Sequence, residues 1–132
     1  MKFRGEYTFL SNMFPCEVLW EGKAYKSSES VYQMMKCANE SDKTMFQGLN
    51  GYQAKKMGRH VRMRRDWNEI KLGVMREVLD AKFDNPWLAE KLMKVEGNIV
   101  EDNHWHDRYW GRCNGEGLNH LGKLLMEVRD AL

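Results

Sequence analysis

Residues that favour a pleated sheet are scarce in this chain: eight valines, two isoleucines and two threonines in 132 residues. β-Branched side chains are what strands select, so a sheet-dominated fold is disfavoured and a mostly helical one is expected. Ten methionines point to soft side chains filling irregular gaps in the core. A hydrophobic fraction of 42% beside 30% charged residues is globular composition and argues against disorder. The length suits one domain over residues 1–132, on a prior of about 150 residues per domain. No apolar run approaches the roughly 20 residues of a membrane span, and the opening MKFRGEYTFL lacks the apolar stretch of a signal peptide. A cytoplasmic protein with no membrane partner is expected. Three widely spaced cysteines, Cys16, Cys37 and Cys113, read as reduced thiols.

The expected class is α+β: a predominantly helical domain with a small antiparallel sheet. The first 25 residues read as extended. Within them, Glu17–Trp20, the turn Glu21-Gly22-Lys23, and Ala24–Lys26 form a hairpin pattern. Ser27 and Ser28 offer an N-cap to a helix over about 28–39, with Val31, Met34, Met35 and Ala38 at helical spacing. A helix over Gln53–Gly58 ends at Gly58, read as a left-handed C′ residue. Asp66 is placed to cap a longer helix with the apolar stripe Ile70, Val74, Val78, Leu79 and Phe83. Pro86 opens another, through about Met93. Lys94–Glu101 alternates and reads as a strand or short hairpin. Residues 102–117 have no period and form a long loop, and Asn119–Leu132 closes as a helix.

Three constellations carry chemistry. Glu29, Tyr32, Gln33 and Lys36 fall at i, i+3, i+4 and i+7, on one helix face. A solvated polar face is the plain alternative to a cleft. The loop 102–117 holds Trp105, Tyr109 and Trp110, aromatics that either plug a core or line a pocket for flat ligands. Among them is the acid Asp107, and a partly apolar setting perturbs the ionisation of a carboxylate. His104, His106 and Cys113 match no zinc spacing, so no metal and no cofactor are expected. Residues 55–65 carry six Lys and Arg and no acid, which suits phosphate or, more plainly, a solvated basic face. Trp67 follows directly. Dinucleotide, P-loop, serine-hydrolase and CxxC signatures are absent.

Phe9-Leu10-Ser11-Asn12, then Ser27-x-Glu29-x-x-Tyr32-Gln33 with Lys36, Gly58-Arg59, Asp66-Trp67 with Lys71 and Met75, Trp105-x-Asp107-x-x-Trp110-Gly111, and Gly117-Leu118-Asn119 with Leu121-Gly122 together resemble the NADAR (YbiA-like) superfamily over nearly the whole chain. The resemblance implies an N-glycosidase that parts a ribose C1′ from a base-like nitrogen. The implied substrates are phosphorylated intermediates of riboflavin synthesis or ADP-ribosylated guanine, as a small molecule or in nucleic acid. It places the catalytic roles on Glu29, Trp67 and Asp107, with Lys36, and Lys71 second, as a covalent partner of C1′. Trp67 is then expected to stack on the heterocycle, Arg59 to hold phosphate, and Ser11, Asn12, Tyr32, Gln33, Trp105 and Trp110 to shape the pocket. Ser30 stands where many members carry His, Met13 where Phe or Tyr is usual, and His106 where Gly is frequent. These departures bear on the substrate more than on the reaction. The competing classes are a non-catalytic ADP-ribose or nucleotide-binding module and a small nucleic-acid binder using residues 55–65.

Overall fold

The computed structural model describes all 132 residues. It is α+β and largely helical, with six α-helices and two two-stranded sheets. Its contacts fall into two compact units, one of Asn12–Lys82 and one of Met1–Ser11 with Phe83–Leu132.

In the first unit, β1 (Val18–Trp20) and β2 (Lys23–Tyr25) pair antiparallel, with Trp20 opposite Lys23. The turn between them carries positive φ at Glu21 (48°) and Gly22 (78°), the primed-turn geometry that a tight hairpin needs. Helix α1 is Ser28–Met35, shorter than its pattern implied. It stops because the chain turns to pair with residues 62–64. Ala38 N–H donates to Arg62 O at 2.8 Å, Arg64 N–H donates to Lys36 O at 3.0 Å, and Cys37 bridges Met63. The short helix α2 (Glu40–Lys43) has no counterpart in the sequence reading.

Helix α3 (Gly51–Met57) starts two residues earlier than expected, because Asn50 and Gln53 form a reciprocal capping box. Helix α4 runs Trp67–Lys82, about 24 Å at 1.5 Å per residue. It buries Trp67, Val74, Met75, Val78 and Leu79 and packs on α1 and β1. Asp66 does not give its carboxylate to this helix. Arg64 takes it as a fork, Nε at 2.7 Å and Nη2 at 3.1 Å, a charge-assisted pair that outcompetes a neutral cap.

Lys82 ends α4 fully buried, with Nζ 5.9 Å from the Phe14 ring centroid. Burial pushes its amine down to about 8, partly opposed by the Cys16 thiol. An unfolded lysine keeps its proton to about pH 10.4. Between those values the unfolded chain binds more protons, so stability rises with pH. In a Cys16→Ser/Cys37→Ser background, which removes the titration of both thiols, the Cys37 thiol being pushed up to about 11 by burial, urea unfolding should show stability climbing from about pH 8 to about pH 10. The climb should be absent from Lys82→Met in the same background. Equal slopes in the two chains contradict the assignment.

In the second unit, residues 5–10 form a 3-10 helix (Gly5–Leu10) rather than an extended segment. It buries Phe9 and Leu10, and Phe9 meets Phe83 edge-on at 6.5 Å. Asn85 accepts from Trp87 and Leu88 N–H and caps α5 (Pro86–Met93), with Pro86 opening the helix as expected. α5 packs on α6 (His120–Ala131).

Lys94–Glu101 is loop, not strand. Side chains satisfy its backbone in place of a ladder. Arg129 Nη1 donates to Val95 O (2.9 Å) and Gly97 O (2.7 Å). Asn119 donates to Ile99 O at 3.0 Å and accepts from Glu101 N–H at 3.0 Å. The loop that follows contains two short strands, β3 (Asp102–Asn103) and β4 (Arg112–Cys113), which pair parallel. No helix is long and apolar enough to cross a membrane.

Candidate active site

The polar face read on α1 is not solvated. Glu29, Tyr32 and Gln33 are each 7% exposed, and Lys36 is half-buried. The helix start is tied down on every side. Ser27 Oγ accepts from Ser30 N–H at 3.1 Å, and Ser30 Oγ donates to Leu49 O at 2.8 Å. Ser28 Oγ donates to Asn12 Oδ1 at 2.9 Å, Glu29 N–H donates to Asn12 O at 3.0 Å, and Asn12 Nδ2 reaches the Met75 sulfur at 3.5 Å. Asn12 is therefore a clamp on the first turn of α1, and its side-chain amide is engaged at both ends in that task.

Glu29 lies in that first turn, where the helix dipole favours an anion. Gln33 Nε2 donates to Glu29 Oε1 at 3.0 Å. Burying a carboxylate is costly unless its oxygens are held, and the Gln33 amide holds one of them. The other end of the Gln33 amide lies against Gly58. A Cβ there would stand 2.8 Å from Gln33 Cδ and closer still to Oε1, which has no donor. Gly58 has φ −61°, so it is not the left-handed C′ residue its position suggested. It is glycine because a side chain lies across it.

This gives a direct test. Gly58→Ala should swing Gln33 away from Glu29, and it should cost stability only where Gln33 is present. In a Gln33→Ala background the same change should be neutral or stabilising, since alanine accepts the φ of −61° at this C-cap and loses less unfolded-chain entropy than glycine, by about 0.4–1 kcal/mol. Denaturant unfolding of the four chains gives the coupling. An equal cost in both backgrounds rules the contact out.

Burial lowers the Lys36 amine below its ordinary value. Glu29 and then Cys37 oppose the shift, and Arg59 adds to it. Lys36 is thus an amine poised toward its neutral form within the field of a buried carboxylate and an exposed guanidinium. Lys71 differs. It sits on α4, with Nζ 3.4 Å from Asn68 Oδ1 in an exposed contact. Trp67 is 4% exposed, and its ring lies 5.0 Å from that of Tyr32 at an interplanar angle of 54°. It braces Tyr32 and offers almost no open surface for a ligand to stack on. The structure therefore brings Glu29, Tyr32, Gln33, Lys36, Arg59 and Trp67 together within one unit.

Ser11, Trp105, Asp107 and Trp110 belong to the other unit. There Asp107 organises the loop. Its Oδ1 accepts from Tyr109 N–H (3.0 Å) and Trp110 N–H (2.9 Å). Asn103 closes a reciprocal pair with its backbone, accepting from Asp107 N–H at 3.1 Å and donating to Asp107 O at 2.9 Å. Trp110 lies edge-on to Tyr109 at 4.9 Å, whereas Trp105 is 53% exposed beside His104. Ser11 N–H donates to Thr8 O, closing the 3-10 helix. His106, at φ 65°, brings Nδ1 to 3.8 Å from Cys113 Sγ, and nowhere in the chain do three or more ligating side chains converge on a metal site.

Asn12 as a clamp and Gly58 as a bed for Gln33 are the contributions that sequence reasoning missed. The first left no signal in the spacing. The second left one, a glycine ending a helix, that has a commoner explanation.

A model of the NADAR domain matches residues 2–132. The chain belongs to the NADAR domain family. The NADAR chain is 33% identical over 133 residues to the N-glycosidase YbiA of Shigella boydii, covering 96% of this chain and 82% of that protein. It is 32% identical over 129 residues to a riboflavin biosynthesis protein of Vibrio vulnificus, covering 94% of this chain but 35% of that longer protein. The NMR structure of the E. coli protein YbiA superposes with a TM-score of 0.87 at 31% identity, over 99% of this chain and 83% of that one.

Proposed function

We propose that the chain is an N-glycosidase acting on a phosphorylated ribosyl or ADP-ribosyl compound and cleaving the bond from ribose C1′ to a base-like nitrogen. One observation carries the reading: a buried, amide-held carboxylate, Glu29, shares a helix face with an amine, Lys36, whose proton is loosened by burial. The names of the relatives support it. Cleavage builds positive charge at C1′, which a nearby carboxylate stabilises.

Neutral Lys36 Nζ bonds to C1′ as the C1′–N bond breaks, and the electron pair leaves with the departing nitrogen. Glu29 takes the proton that Nζ sheds and passes it to that nitrogen. Opening of the C1′–O4′ bond gives an imine on Lys36, with the proton from Nζ moving to O4′. Water then adds to the imine carbon and releases the sugar, restoring the amine. Arg59 holds phosphate, Tyr32 braced by Trp67 walls the sugar, and Asp107 shapes the loop that bears Trp105 and Trp110.

The test is direct. ADP-ribosylated guanosine and a phosphorylated ribosylaminopyrimidine are each incubated with the protein, and the products are separated by chromatography. Release of the free base from at least one is expected. Tight binding of both with turnover of neither overturns the reading in favour of a binding module.

A further inference from the structure

Helix α1 has eight residues, about two turns, too few to hold a helix without outside contacts. What fastens its first turn therefore decides where Glu29 stands. Two fastenings act there, on different N–H groups. Ser27 Oγ takes the Ser30 N–H at 3.1 Å, an ordinary local cap. The Asn12 carbonyl takes the N–H of Glu29 itself at 3.0 Å. This second fastening comes from a separate stretch of chain, and a side-chain lock keeps it in place. Ser28 Oγ has one hydrogen to give. It stands 2.9 Å from Asn12 Oδ1 and 3.3 Å from Asn12 O, so the side-chain oxygen is the main acceptor. The other end of the amide, Nδ2, donates to the Met75 sulfur on α4 at 3.5 Å. Ser28 is fully buried and Met75 is 1% exposed.

We propose that Ser28 and Asn12 are positioning residues: they set the Glu29 carboxylate against C1′ and do not hold the substrate. This rests on the hydrolase reading and names what aims its carboxylate. To give Oδ1 or Nδ2 to a ribose hydroxyl, Asn12 would first have to release Ser28 or Met75. Releasing Ser28 strands a fully buried hydroxyl, which is costly. The pair acts on the carboxylate through the backbone. Glu29 is held at its N–H by Asn12 and at Oε1 by Gln33, whose Nε2 donates at 3.0 Å. Loosening the first hold lets the carboxylate shift. A displacement of about 1 Å at a reacting centre costs about 10²-fold in rate.

Ser28→Ala and Asn12→Ala test it, singly and together. Each should lower kcat by about 10²-fold with KM nearly unchanged, since neither side chain touches the substrate. The double variant should be no slower than the worse single one, because both changes open the same lock. Met75→Leu keeps the core volume and removes only the sulfur acceptor. It should give a smaller loss of kcat, again at constant KM, and it serves if the alanine variants do not fold. Amide hydrogen exchange by NMR reads the lock without substrate. The Glu29 amide should exchange about tenfold faster in each alanine variant, while the Ser30 amide, held by Ser27, should not change. A rise in KM with kcat kept puts Asn12 on the substrate and overturns the proposal. Additive losses in the double variant also overturn it, as does equal loss of protection at Glu29 and Ser30, which is fraying of the whole helix end. If the unaltered protein releases no base while the exchange pattern is as expected, the hydrolase reading falls and the lock on Glu29 stands. If base is released and kcat is the same in every variant, the lock has no part in catalysis and the hydrolase reading stands.

Discussion

Glu29→Gln is expected to abolish base release, with at least a 10³-fold loss in kcat, while leaving the fold and its stability nearly unchanged. The reasoning is local. The substituted amide is isosteric, and its oxygen still accepts from Gln33 Nε2, which is 3.0 Å from Glu29 Oε1. The backbone N–H still reaches Asn12 O. What disappears is the negative charge beside C1′ and the group that relays a proton. Preorganised electrostatic groups of this kind are worth about 10²–10³ in kcat, and general acid–base transfer about 10²–10⁴. Losing both through one atom exchange justifies the large figure. The checks are kcat by chromatography and Cm in urea. A variant with kcat within tenfold of the original removes Glu29 from the chemistry, and a large fall in Cm assigns it to the fold.

Lys36→Arg is expected to be nearly as damaging, at least 10²-fold in kcat, with KM changed far less. Arginine keeps the positive charge and the reach but does not deprotonate in a protein, so it cannot attack C1′. If Lys36 served only as a phosphate anchor, arginine would preserve or improve it, and KM would report the change. The split between kcat and KM thus separates nucleophile from anchor. Lys71→Arg is the companion measurement. Lys71 sits in an exposed contact with Asn68, and its replacement should leave kcat within a fewfold of the original.

The parts of the fold written in local chemistry were legible. Ser27 caps α1, Pro86 opens α5 and the Glu21-Gly22 turn closes the hairpin, because each feature depends on neighbours within four residues. Features decided by other partners were not. Asp66 has the position of a cap, yet Arg64 supplies a stronger partner. Lys94–Glu101 alternates like a strand, yet Arg129 and Asn119 satisfy its backbone first. Gly58 looks like a helix terminator, and its real constraint is the side chain of Gln33, well back along the chain.

The candidate site divides in the same way. Spacing placed Glu29, Tyr32, Gln33 and Lys36 on one face, but periodicity cannot say whether a polar face meets water or protein. Burial came from α3 and α4 closing over it. Trp67 follows the cations in sequence, which suggested an open platform, whereas its ring is sealed against Tyr32. Asp107 reads as an acid among aromatics, and one of its oxygens is engaged by two backbone amides of its own loop.

The central claim is that Lys36 bonds to the sugar beside the Glu29 carboxylate. It is tested most directly by reducing a reacting mixture of protein and ADP-ribosylated guanosine with borohydride and locating the added mass by peptide mapping. The account predicts a ribosyl adduct on Lys36, absent from Lys36→Arg. Base released in good yield with the adduct on Lys71, or with no adduct at all, contradicts it.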